Sequence, residues 1–195
     1  MKRSLSLTVA VASLIFVLGC GVPALIYNKT VPELKPPADK ALCVLVRPMA
    51  FMGATFIPVY CDQKYVGGTE GNTMLTFPVD PGEHYIIADA TNKSKVKYNF
   101  QAGKVYFIWH TVVSLSSGII KINTSTFAPM DGESATKKIE DEKGKITWVQ
   151  KNPEDKDSKD LSANDFEDVK KDYEKWAADG KNAADAKKEA EYPGY

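Results

Sequence analysis

The sequence predicts a mainly β fold: a small antiparallel β-sandwich with a C-terminal amphipathic helix. Three observations carry that expectation. Short apolar runs recur from residue 41 onward, as ALCVLVRP, FIPVYC, MLTFPV, HYIIADA, VKYNF and VYFIWH. Turn-forming residues separate them at the spacing of strands in a sandwich, the sharpest being Asp80-Pro81-Gly82-Glu83, with Pro and Gly where a type II turn wants them. Only after Ser162 does the apolar period lengthen to that of a helix.

The chain has 195 residues, enough for one ordinary domain with appendages or for two small ones. With 44% hydrophobic and 26% charged residues it has the balance of a globular protein. The formal net charge is zero but unevenly spread. Residues 20–130 carry 10 Lys and Arg against 7 Asp and Glu, whereas residues 131–195 carry 13 against 18. A weakly basic body with an acidic tail lacks the concentrated basic face of a nucleic-acid binder.

At the N-terminus, Met1-Lys2-Arg3 precedes the apolar stretch SLSLTVAVASLIFVLG, the layout of a signal peptide. The stretch ends at Val17-Leu18-Gly19-Cys20, which resembles the lipobox of bacterial lipoproteins. That resemblance implies removal of residues 1–19 and acylation of Cys20. With Gly21 rather than Asp next, it also implies sorting to the outer membrane, with the domain facing the periplasm. One acyl chain binds a bilayer only marginally, at roughly 0.8 kcal/mol per methylene, so several make a lasting anchor. The competing reading is an uncleaved helix in the inner membrane. Residues 4–28 carry no charge, and about 20 apolar residues span a bilayer, but Pro23 interrupts the run. Residues 20–40, with Pro23, Pro32, Pro36 and Pro37, read as an extended tether.

The sandwich is expected over 41–149. Leu42, Val44 and Val46 alternate with Cys43, Leu45 and Arg47, so both faces of the first strand are apolar and it belongs between layers. Pro58 argues for an edge position in the second run, because proline cannot donate to a ladder. Asp62-Gln63 predicts a tight hairpin, with Gln in place of the Gly that a type I′ turn favours. Ala102-Gly103 predicts another hairpin. Lys121 to Phe127 reads as a further strand, Asp131 to Asp141 as a short polar helix and Ile146 to Val149 as a last strand.

The order PADKALCVLVRP, FIPVYCDQKYVGG, FPVDPGEHYIIAD and QAGKVYFI, within residues 37–128, resembles an uncharacterised family of bacterial lipoprotein domains. It is similar, more loosely, to PEGA-type β-sandwich modules. Cys43 and Cys61 stand where that family has apolar residues, and Gln63 replaces its turn glycine. The resemblance implies a fold and a location and assigns no chemistry.

Beyond it, residues 150–161 form a charged linker, with NPEDKDSKD expected to be disordered. A helix and tail follow over 162–191. Ser162 is its expected N-cap, and Phe166, Val169, Tyr173 and Trp176 share one face. That face is expected to dock on its own sandwich, weakly, the alternatives being a partner in a larger envelope complex or a loose tail. The end of the chain is expected to fray.

Candidate reactive residues are few. His84 and His110 lack an HExxH arrangement or zinc-type cysteine spacing, and each reads as a strand-end structural residue. Ser114, Ser116 and Ser117 lack a nucleophile elbow, and Gly67-Gly68 with Gly71 lack the ending of a phosphate loop, reading as a hairpin tip. Arg47, the only arginine after the signal segment, is a candidate to grip a ligand's carboxylate, set against an internal pair with Asp39, Asp80 or Asp89. Cys43 and Cys61 invite a disulfide in an oxidising compartment, yet both sit in apolar strands where free thiols pack well. The expectation is therefore a lipid-anchored binding or scaffolding module, contacting the membrane and an envelope partner, without cofactor or catalysis. An envelope enzyme using His84 or His110 is the alternative. Ligand, partner and oligomeric state are not legible.

Overall fold

Alternation along each strand decides which side it buries. A computed structural model describes residues 23–48, 55–117, 120–141 and 144–195. Its strands are β1 (Leu25–Asn28), β2 (Ala41–Arg47), β3 (Ile57–Cys61), β4 (Lys64–Thr69), β5 (Thr73–Val79), β6 (Gly82–Ala88), β7 (Ser94–Phe100), β8 (Val105–Ser117), β9 (Ile120–Met130) and β10 (Thr147–Lys151). Its helices are α1 (Gly132–Asp141), α2 (Ala163–Ala178) and α3 (Ala183–Ala190). One sheet has the order β1-β10-β5-β2-β8-β9, the other β4-β3-β6-β7. The fold is mainly β, as expected.

Between the sheets lie Cys43 and Leu45 of β2, Leu75 and Phe77 of β5, Val59 of β3, Ile86 of β6, Val96, Tyr98 and Phe100 of β7, and Tyr106 and Ile108 of β8. The opposite residues of the six-stranded sheet form a second cluster. Val44, Val46, Met74 and Phe107 there meet Ala135 of α1 and the half-buried Val31 and Leu34. Two covered faces are why β2 is apolar throughout.

Two neighbours are parallel rather than antiparallel: β2 with β8, and β5 with β10. Parallel neighbours need a long crossover, which the excursions into the second sheet and through α1 supply. For the same reason Ala102-Gly103 joins strands of different sheets and makes no hairpin. The strand with Pro58 is interior, between β4 and β6. The ladder with β6 begins at Val59, so the missing donor falls just outside it. Gly67 and Gly68 lie within β4, not at a tip, beside a register shift in β3. A Cβ on Gly68 would stand 2.3 Å from the Phe56 ring, so a larger residue there would have to displace that ring. Gly82 has φ 123 and opens β6 directly after a bend at Pro81, in place of a regular type II turn.

Three segments read as loose are built into the fold. Leu25–Asn28, inside the expected tether, pairs with β10, and Leu25 is buried in the central core. Asn152 of the expected disordered linker donates to the Pro23 and Ala24 carbonyls, and Asp160 accepts from the Tyr65 amide. Its polar side chains satisfy backbone groups, a role that composition alone does not signal. The C-terminus does not fray: Tyr192 is buried among Tyr98 and Tyr106, and Tyr195 exchanges backbone hydrogen bonds with Val105.

The helix at 163–178 forms as its pattern predicts. Ser162 Oγ accepts from the Asp165 amide. Val169 and Tyr173 are buried, with Phe166 and Trp176 half-buried, against Tyr60, Tyr85 and Ile87 on the outer face of the four-stranded sheet. Tyr85 meets Phe166 and Tyr173 edge-on, at 5.9 and 5.4 Å.

Candidate binding cleft

The sandwich core has two polar ends. One is an open cleft of about 560 Å³ beside the start of β2 and the β3–β4 turn. Phe77, Pro78 and Val79 wall it on one side, with Lys40, Lys64, Lys151, Asp62 and Asp80 at its polar positions. Lys40 Nζ pairs with Asp80 at 2.5 Å, joining the approach to β2 to the end of β5.

Three side chains with donor atoms converge in this cleft. Cys61 ends β3, Asp62 begins the turn, and His84 lies near the start of the neighbouring β6. Asp62 takes φ 53, a conformation that Asp tolerates better than most residues. Gln63 does not share a positive φ, so the turn is not of the I′ type. This removes the need for glycine at 63. The Asp62 amide donates to the Tyr85 carbonyl at 2.8 Å, and Asp62 Oδ1 accepts from the Tyr85 amide at 2.9 Å. Asp62 Oδ2 is then left 2.6 Å from His84 Nδ1. Donor atoms of Cys61, Asp62 and His84 all lie within 4.8 Å of one another, and all three residues are half-buried. Burial first, then the charges of Asp62 and Asp80, push the Cys61 thiol up to about 12.

From the sequence His84 reads as a structural residue, with no link to Cys61. The available signal was Cys-Asp at a predicted hairpin turn with a histidine opening a later core strand. What was missing was the pairing of β3 with β6, which sets Cys61 opposite Ile86, two residues from His84.

Cys43 and Cys61 are free thiols, so the disulfide left open above is not formed. Cys43 is fully buried, and desolvation raises its thiol well above the ordinary range.

The opposite end of the core holds the other candidates. Arg47 is 1% exposed, and its guanidinium donates to the Thr55 and Thr69 carbonyls at 2.7 and 2.8 Å. It therefore neither faces a ligand nor pairs with Asp39, Asp80 or Asp89; it ties β2 to β4. Burial lowers its pKa to about 10. His110 is fully buried, with Nδ1 2.9 Å from Thr69 Oγ1 and its ring 4.8 Å from Phe127. Burial, helped by Arg47, pushes it down to about 3, so it is neutral at physiological pH. It is a structural residue but not a strand end: β8 runs on to Ser117 and places His110 inside the core. Ser114, Ser116 and Ser117 fall on β8. Cys20 and the segment before it lie outside the described residues.

Fold and cleft together define a two-sheet β-sandwich with helices on its outer faces and one open, polar end. No protein-family model matches the chain, and neither the curated proteins nor the solved structures yielded a significant match. Among the described residues, no helix is long and apolar enough to cross a membrane.

Proposed function

We propose that the protein is a lipid-anchored lipoprotein of the bacterial cell envelope, held by acylated Cys20, facing the periplasm and working by binding rather than catalysis. The observation that carries the reading is Val17-Leu18-Gly19-Cys20, placed directly after a positive start and an apolar stretch. The outer membrane is the favoured site because Gly21 follows the cysteine.

Chain geometry adds a constraint. Only five residue steps join Cys20 to Leu25 of β1, a reach of about 17 Å when fully extended. Leu25 stands opposite Lys151, which lines the cleft. An anchor at Cys20 therefore keeps the cleft near the lipid headgroups instead of on a long tether. Its apolar walls and few convergent polar groups suit a small ligand or an extended segment of an envelope partner.

A second reading, an enzyme, draws on the meeting of Cys61, Asp62 and His84. A thiol pushed up to about 12 is protonated at neutral pH and a poor nucleophile, which disfavours that reading. Docking of the C-terminal helix on a larger complex loses its main support, since the apolar face of α2 is covered by its own sheet.

Growth with labelled fatty acid tests the anchor. Label is expected in the mature protein and is expected to vanish in Cys20→Ser. Equal labelling of that variant would overturn the proposal.

A further inference from the structure

We propose that Cys61, Asp62 and His84 form a binding site for a borderline-soft divalent metal ion of the Zn²⁺ class, with a coordination position open to the cleft. The inference stands on the cleft alone and does not depend on the anchor at Cys20.

The donor set comes first. A thiolate, a carboxylate and an imidazole suit Zn²⁺ and its neighbours, whereas Mg²⁺ and Ca²⁺ prefer sites built of oxygen. Metal–donor bonds of about 2.0–2.3 Å place tetrahedral donors roughly 3–4 Å apart. The three donor atoms already lie within 4.8 Å of one another. An ion would have to open the Asp62 Oδ2–His84 Nδ1 pair, now 2.6 Å apart, and draw in any donor lying beyond that spacing.

The scaffold is the second argument. Cys61 and His84 come from β3 and β6, which are hydrogen-bonded neighbours inside one sheet, and Asp62 is clamped to the Tyr85 backbone through both its amide and its carboxylate. A site on paired strands is held more closely than one on free loops. The Tyr85 amide on Asp62 Oδ1 is the kind of outer contact that orients a ligating carboxylate, leaving Oδ2 directed at the imidazole.

Charge and access are the third. Asp80 adds a second carboxylate to the surroundings of the thiol, and part of its charge is balanced by Lys40. Lys64 acts on the thiol in the opposite sense. Three protein donors leave one tetrahedral position, and here it faces a cleft able to admit water or a ligand's own donor atom. On binding, the Cys61 thiol gives its proton to solvent and the sulfur–metal bond forms, with no change of oxidation state. The bound ion would then present a Lewis-acidic contact to whatever occupies the cleft.

The test uses the full chain in detergent, carrying Cys20→Ser so that only Cys43 and Cys61 supply thiols, under reducing conditions. Titration with Co²⁺ is expected to saturate at one equivalent and to produce a thiolate-to-cobalt charge-transfer band. Zn²⁺ is expected to displace the Co²⁺ and to slow alkylation of Cys61. Cys61→Ser should abolish the band, and His84→Gln should weaken binding by roughly tenfold or more. Cys43→Ser, removing the other thiol, should leave both unchanged. Absence of saturable Co²⁺ and Zn²⁺ binding to the folded Cys20→Ser chain would overturn the proposal. So would a band that survives Cys61→Ser, or one that disappears only with Cys43→Ser. Circular dichroism of each variant separates loss of a ligand from loss of the fold, and the titration of the parent Cys20→Ser chain decides the matter if a further variant fails to fold.

Discussion

At the scale of single residues, the buried polar end of the core is where substitutions should be felt most. Arg47→Met keeps much of the side-chain volume but removes the donor shared by the Thr55 and Thr69 carbonyls. An unsatisfied buried acceptor costs about 1–3 kcal/mol, so a loss on the order of 2–4 kcal/mol is expected in urea unfolding. An unchanged midpoint would show that water replaces the guanidinium freely. His110 gives a pH signature. Its folded pKa of about 3 lies below the ordinary 6.5, so the unfolded chain binds the extra proton as pH falls between those values. Its contribution is fully present above about 6.5 and is lost towards 3, at up to about 1.4 kcal/mol per pH unit. The charged group facing it is Arg47, with Thr69 and Phe127 as its other neighbours. Carboxylates with depressed pKa values, such as Asp155, lose stability in the same acidic direction, so the readout is a difference between proteins. Unfolding midpoints of wild type and His110→Asn, measured from pH 7 to 4, should converge as the pH falls. Parallel curves would contradict a neutral buried imidazole.

Among the elements, α2 is the one whose docking on the sandwich the sequence predicts without naming the strands that receive it. Its period, its N-cap and its aromatic stripe are local features, and they are present as the spacing predicts. Its partner is a stripe of alternating residues, Tyr60, Tyr85 and Ile87, on strands far away in the chain. Burial of a large apolar side chain contributes roughly 1.5–3 kcal/mol before entropy. Deletion after Asn152 should therefore destabilise the sandwich by several kcal/mol and expose Tyr85. Trp176 emission in the intact monomer should be blue-shifted relative to the unfolded chain. Stability unchanged by the deletion, together with solvent-exposed Trp176 emission, would mean that the helix does not hold its place on the sheet.

For the whole molecule, the two ends of the described chain close the sandwich. Leu25 and Tyr192 enter the same central cluster, and Tyr195 pairs with Val105 beside β2. Removal of residues 192–195 strips an aromatic ring from that cluster and leaves the Phe107 and Met130 carbonyls without the Tyr192 hydroxyl. The truncated protein should melt several degrees lower. Hydrogen exchange should also rise along β8 more than along β3. In native-state proteolysis, residues 152–160 should resist cleavage despite their charge, because Asn152 and Asp155 are buried and hold local backbone amides. Rapid cutting within that segment would show that these contacts are not maintained.

By itself, the sequence determined the strand-rich class, most strand positions, the two-faced burial of β2 and the capped helix. Each depends on local period, turn chemistry or composition, which are written in neighbouring residues. Tertiary structure decided what depends on pairing: the parallel neighbours of β2 and β5, the capture of Leu25–Asn28 and of the C-terminal tyrosines, and the interior place of Pro58. The cleft belongs to this second group. Cys61 and His84 are 23 positions apart in sequence, and only the β3–β6 register turns both toward the same open end of the core. A slip of one residue would send either side chain to the opposite face, because strand side chains alternate with period two. No local pattern encodes that register, so the meeting of thiol, carboxylate and imidazole is a property of the folded chain.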